Sequence, residues 1–176
     1  MIVSTDVDFP YSYGTKNIKL LLHQLGGDII KRRDPLLAIQ NILNNRRVNL
    51  GDYSSDPLLG NFERMMDICE QANLKLTFYF ITDPTNSLRD GYYSIREPVI
   101  RALIRRIYER GHEVGLHGSY DSYQNAELIK QEARTLKSVM EQDGINQSSI
   151  GGRQHFLRWD ASRTPVNLAG AGLAHD

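Results

Sequence analysis

The 176-residue sequence contains a single cysteine, Cys69. It can therefore form no internal disulfide and no multi-cysteine zinc or iron–sulfur site. It also has no excess of either charge, since 21 lysines and arginines balance 21 aspartates and glutamates. That balance argues against a nucleic-acid partner, which calls for a basic patch or excess. It argues equally against docking on a membrane surface through a polybasic segment. No apolar run approaches the roughly 18 residues needed to span a bilayer. The opening Met1-Ile2-Val3-Ser4-Thr5-Asp6 is too short and turns acidic too soon for a secretory leader. A cytoplasmic location is thus the default expectation unless N-terminal truncation removed a leader. Neither a Walker-type glycine loop nor a GxGxxG pattern occurs, so no nucleotide-type coenzyme is implied. Internal repeats and low-complexity tracts are absent as well.

What is present is a globular composition, 40% hydrophobic and 24% charged, as expected for a chain that folds rather than stays disordered. The length suits one domain of about 100–200 residues. Met1–Thr5 reads as a buried strand ending on Asp6-Val7-Asp8, followed by a turn-rich loop over 9–15. Helical spacing predicts helices over 16–25, from Pro35 to Asn44 and over 58–72, with a polar surface loop over 45–57. Leu74–Ile81 is the clearest strand. Pro98 opens a helix carrying Ile100, Leu103, Ile104 and Ile107 that Gly111 closes. A short extended run, His112–His117, precedes a helix capped by Asn125 and ending before Gly144. Ile150–His155 reads as a further strand, and Thr164-Pro165 opens a last short helix. Strands alternating with helices predict an α/β fold of parallel βα units, a doubly wound sheet or a barrel. In both, functional side chains gather at the C-terminal ends of strands.

Three strand ends carry candidate chemistry. Asp6 and Asp8, spaced i, i+2, offer two carboxylates to one cavity, for a metal and a base, although aspartates also serve as turn and cap residues. His112 and His117, five apart, point to opposite faces of a regular strand and do not share an ion. His117 is the better ligand, with Asp121 four residues on; the alternative is a hydrogen-bonded core histidine. After the last strand come Arg153, His155, Trp159 and Asp160. Arginine can fix a carboxylate and an indole can cover an apolar sugar face; the alternative is an Arg–Asp surface pair with Trp159 in the core. Histidine and carboxylate ligands suit Zn²⁺ and other divalent metals.

The order of these segments resembles the polysaccharide deacetylase family (carbohydrate esterase family 4, the NodB-like homology domain). Ser4-Thr5-Asp6-Val7-Asp8 is similar to the family's first motif, and Leu76-Thr77-Phe78-Tyr79-Phe80 to its second-strand segment. Gly111-His112-Glu113-Val114-Gly115-Leu116-His117, the most specific match, resembles the strand ending in the histidine motif. Gly152-Arg153 to Trp159 resembles the arginine-containing third motif. The resemblance implies a distorted (β/α) barrel over 1–176, incomplete at its C-terminal end, with residues 9–60 a helical insertion. It implies a metal-dependent hydrolase removing acetyl groups from N- or O-acetyl sugars, or else a metal-poor relative that binds glycan or serves a structural role. Asp6 would be the general base, oriented by Arg153. Asp8 and His117 would bind a divalent metal, zinc by preference. The family's second histidine is replaced here by Asp121, so the third ligand is Asp121 or, alternatively, His155. Tyr120, His155 and Trp159 would contact the acetylated carbohydrate. Leu173-Ala174-His175-Asp176 superficially resembles the family's final Leu-x-His-Asp motif, but too little chain separates it from Arg153, so the similarity reads as coincidental.

Overall fold

A computed structural model describes residues 3–14, 18–54, 56–86 and 89–174. His175 therefore lies outside the described residues. In chain order the elements are β1 (Val3–Val7), α1 (Ile18–Gly26), α2 (Pro35–Asn49), α3 (Pro57–Gln71), β2 (Leu76–Phe80), α4 (Pro98–Glu109), β3 (Glu113–Gly118), α5 (Ala126–Gln142), β4 (Gly152–Gln154) and α6 (Thr164–Gly170). A π turn over Gly27–Lys31 follows α1, and a 3-10 turn over His155–Leu157 follows β4. The chain divides into two compact units, Met1–Pro10 with Arg64–Asp176, and Tyr11–Glu63. Among the described residues no helix is long and apolar enough to cross a membrane.

The first unit is α/β. Its four strands are all parallel, in the order β1-β2-β3-β4, and the chain between them is largely helical, the arrangement of a partial (β/α) barrel. Covered parallel strands read as continuous apolar runs, and all five residues of β2 are buried. Pro98 pre-sets the first turn of α4. That helix buries Ile100, Leu103, Ile104 and Ile107 along one stripe, each side chain contributing about 1.5–3 kcal/mol of apolar burial. The Asn125 side chain accepts from the Leu128 amide at 3.1 Å and caps α5, whose buried stripe includes Ile129, Ala133, Leu136 and Met140.

Several boundaries differ from the sequence reading. β2 is shorter than 74–81. β4 has only three residues, because His155 leaves the strand for the 3-10 turn. His112 stands just before β3, buried, where its Nδ1 accepts the Leu76 amide at 3.1 Å. It thus ties the entrances of two strands together, at the opposite end of β3 from His117.

The second unit corrects the expected 45–57 loop, because α2 runs on to Asn49. Its buried side carries Ala38, Asn45 and Val48, while Leu36, Ile39, Ile42 and Leu43 face outward. The inward polar groups are paired, which makes their burial tolerable. Asn45 Oδ1 accepts the Gly14 amide at 2.8 Å, and buried Asp28 accepts from Asn41 at 2.7 Å and Arg32 at 2.6 Å. Buried Asp56 accepts the amides of Ser12, Tyr13 and Leu58, the last capping α3.

One row across the sheet positions the functional side chains. Asp6 pairs with Tyr79, and Tyr79 with Gly115. The missing side chain at Gly115 leaves room for the Tyr79 ring, since a Cβ there would lie 2.5 Å from it. The ring in turn carries the Arg153 guanidinium, 4.8 Å from its centroid. We predict that Gly115→Ala destabilises the fold by about 1–3 kcal/mol through overpacking, measured by denaturant unfolding; an unchanged midpoint would contradict this packing.

Candidate active site

The C-terminal ends of β1, β3 and β4 bring together residues far apart in sequence. Ser4, Asp6 and Asp8 alternate along β1 and its extension, so they share one face. Arg153, on β4, reaches across the Tyr79 ring and donates to Asp6 Oδ1 at 3.1 Å and to Ser4 Oγ at 2.7 Å. Asp6 Oδ2 remains on the other side of the carboxylate, 3.8 Å from His117 Nε2.

Beside it, Asp8, His117 and His155 form a cluster of potential metal ligands, with His117 and His155 buried. Asp8 Oδ1 lies 3.4 Å from His117 Nε2 and 3.5 Å from His155 Nδ1, and the two ring nitrogens are 2.9 Å apart. Each imidazole has its other nitrogen on a backbone carbonyl. His117 Nδ1 lies 3.2 Å from the Arg153 oxygen, and His155 Nε2 lies 2.8 Å from the Arg89 oxygen. A carbonyl only accepts, so those nitrogens carry the protons. In these tautomers the remaining ring nitrogens face each other and Asp8 Oδ1, which is itself buried without a hydrogen bond. Such an arrangement calls for a shared cation.

The donor set fits a divalent metal. Tetrahedral ligands at about 2.0–2.1 Å from zinc stand about 3.3 Å apart, close to the Asp8 separations. Backbone carbonyls holding the distal nitrogens are the usual means of orienting histidine ligands. The turn that presents His155 is strained: Phe156 and Leu157 both adopt left-handed backbone, with φ of 57° and 52°, a conformation costing non-glycine residues roughly 1–2 kcal/mol each. Such strain is characteristic of functional sites.

Asp121, expected as a possible third ligand, does not join the cluster. Its exposed carboxylate lies 3.8 Å from Arg158, and His155 occupies the third corner instead. This happens because His155 leaves β4 and turns back toward His117, with the ring centroids 4.8 Å apart. His155 is buried there, beside Asp8 and His117. Tyr120 takes the Arg89 and Arg158 guanidinium groups against its ring at 4.7 and 4.0 Å. Trp159 is half-exposed rather than in the core, and with Arg153, Gln154 and Leu157 it lines a cavity of about 210 Å³.

A family model described as polysaccharide deacetylase matches residues 53–171. The chain belongs to the polysaccharide deacetylase family. The family match covers β2, β3, β4 and the His117 and His155 segments, while Asp6 and Asp8 precede it. Among solved structures, the chitin deacetylase from the fungal pathogen Colletotrichum lindemuthianum matches with 22% identity and a TM-score of 0.47. The match covers 65% of this chain and 48% of that one, so this family member spans about half the length of that relative. No curated protein matches.

Behind the cluster this deacetylase-family fold buries a polar network that the motif reading missed. Asp90 accepts the amides of Thr85, Asn86 and Tyr120 at 2.7, 2.8 and 2.7 Å. Thr85 Oγ1 donates to Ser119 Oγ at 3.0 Å, and Ser119 donates from its hydroxyl to Glu132. The available signal was Glu132 itself, a carboxylate within the apolar stripe of α5. Burial pushes its carboxyl from the ordinary 4.5 up to about 7, against the hydrogen bonds from Ser119 and with help from the charges of Asp83 and Asp90. Between those values the folded chain keeps a proton that the unfolded chain has released. Stability therefore falls as pH rises from 4.5 to 7, by about 1.4 kcal/mol per pH unit for this group. We predict that Glu132→Gln flattens this slope in unfolding titrations; an unaltered slope would place the glutamate's ionisation elsewhere.

Proposed function

We propose that the chain is a metal-dependent carbohydrate deacetylase, with Asp8, His117 and His155 holding a divalent cation, zinc by preference. The facing lone pairs of two carbonyl-anchored imidazoles beside an unpaired buried carboxylate oxygen carry this reading. When bound, the cation would act as a Lewis acid toward the acyl carbonyl.

The chain's own residues then divide the remaining work. Arg153 holds Asp6 Oδ1, which fixes the carboxylate plane and leaves Oδ2 toward the cluster. There Oδ2 accepts a proton from the water that attacks the acyl carbon. The C–N or C–O bond breaks, acetate forms, and the proton held on Asp6 is available to the departing amine or alcohol. The cavity at Arg153, Leu157 and Trp159 has the apolar wall and position to take the acyl group or the adjoining sugar face. Tyr120, with two arginines against its ring, stands edge-on to Phe156, the neighbour of His155.

Metal analysis and acetate release from acetylated sugars test this together. The native chain should bind about one divalent ion per molecule, and His117→Ala or His155→Ala should lose both ion and acetate release. Asp6→Asn should keep the ion while lowering kcat by about 10²–10⁴. A folded native chain with neither bound metal nor acetate release would overturn the proposal.

A further inference from the structure

The helical unit Tyr11–Glu63 departs from the chain as a whole in both charge and apolar exposure. Residues 16–50 hold seven lysines and arginines against two aspartates, an excess of five that the neutral total conceals. Both aspartates are engaged within the unit. Asp28 is buried and accepts from Arg32 and Asn41, while Asp34 caps α2 by accepting the Leu37 amide. The same stretch exposes large aliphatic side chains: Ile18 and Leu22 of α1, Ile29 and Ile30 of the π turn, and five more on α2 and its C-terminal end, each by 44–77%. On α2 the outer line runs through Leu36, Ile39, Leu43 and Leu50, at the spacing of one helix face. Arg46 and Arg47, both exposed, fill the turn between Leu43 and Leu50. Ala38, Asn45 and Val48 occupy the opposite, buried side.

Single exposed aliphatics are ordinary, but a helix stripe of them flanked by charge marks an interaction surface. Its charge selects the partner. A second copy of the chain would bring the same positive excess against it, whereas an anionic lipid surface neutralises that excess. The side chains suit a bilayer interface as well. Leucine and isoleucine on the convex side of a helix enter the headgroup boundary, while arginine stems cover apolar surface and their guanidinium heads reach phosphate. Residues of α1, the π turn and α2 also line a cavity of about 560 Å³ whose wall includes His23, Gln24, Lys31 and Arg32. Such donors match the phosphate oxygens of a lipid headgroup. Among the described residues no helix is long and apolar enough to cross a bilayer, so the contact is with its surface. We propose that this helical unit docks on membranes rich in anionic phospholipid, the outer stripe of α2 entering the headgroup boundary and the basic side chains pairing with phosphate. Whole-chain neutrality, which argues against a polybasic contact, averages over this segregation of charge. The proposal does not depend on the deacetylase reading.

Co-sedimentation of the chain with lipid vesicles tests it. The chain should pellet with vesicles of mixed phosphatidylglycerol and phosphatidylcholine, stay in solution with phosphatidylcholine alone, and leave the mixed vesicles at high salt. Ile39→Ser combined with Leu43→Ser should weaken the partition about tenfold, and so should Arg46→Gln combined with Arg47→Gln. Arg46→Lys with Arg47→Lys, which keeps both charges, should retain it. All four side chains are exposed, so helix content and unfolding midpoint should stay close to native in each variant. No pelleting with the mixed vesicles overturns the proposal, as does equal pelleting with both vesicle types. A folded serine or glutamine pair that binds like its parent also overturns it. So does a chain that is dimeric without lipid and that the serine pair makes monomeric, because the stripe then serves self-association.

Discussion

Two imidazole nitrogens that face each other at 2.9 Å set the terms for the rest of this structure. Their tautomers are imposed from behind by the carbonyls of Arg153 and Arg89. Those carbonyls belong to β4 and to the loop after β2, so the pairing of β3 with β4 and the placement of the Arg89–Tyr93 loop are both conditions for the cluster. The sheet is thus more than a scaffold under the site. Its register decides which lone pairs meet.

The same constraint explains features that look costly in isolation. A glycine within β3 forfeits packing, yet Gly115 is what lets the Tyr79 ring lie under Arg153. Two consecutive left-handed residues after His155 carry strain, yet they turn its ring toward His117. A glutamate on the buried stripe of α5 is expensive to ionise, yet it receives the Ser119 hydroxyl and so pins the chain immediately after His117. In each case a local rule of packing or propensity yields to the geometry of the strand ends, where violations are expected to concentrate.

Much of the fold was legible because its signals are local. The stripe of α4, the Asn125 cap and the continuous apolar run of β2 follow from spacing and residue type within a dozen positions. The outer face of α2 was harder. Its leucines and isoleucines sit at helical spacing like any core stripe, and only the partners of Asn41, Asn45 and Asp28 turn the polar side inward. The strand entrance tied by His112 was likewise invisible, since its partner is the amide of Leu76 on another strand.

For the site, the sequence by itself determined the inventory: Asp6, Asp8, His117 and Arg153 at strand ends, where parallel βα units collect functional groups. It also left a choice between Asp121 and His155 that spacing was unable to resolve. Asp121 stands four residues from His117 and His155 thirty-eight, so proximity in the chain favoured the aspartate. Only the tertiary structure places His155, and not Asp121, beside His117 and Asp8. The pairing of β4 beside β3 brings residue 155 next to residue 117, while the turn after β3 sends Asp121 out to Arg158. Ligand sets are selected by distance through space, and a parallel sheet makes neighbours of residues that the chain keeps far apart.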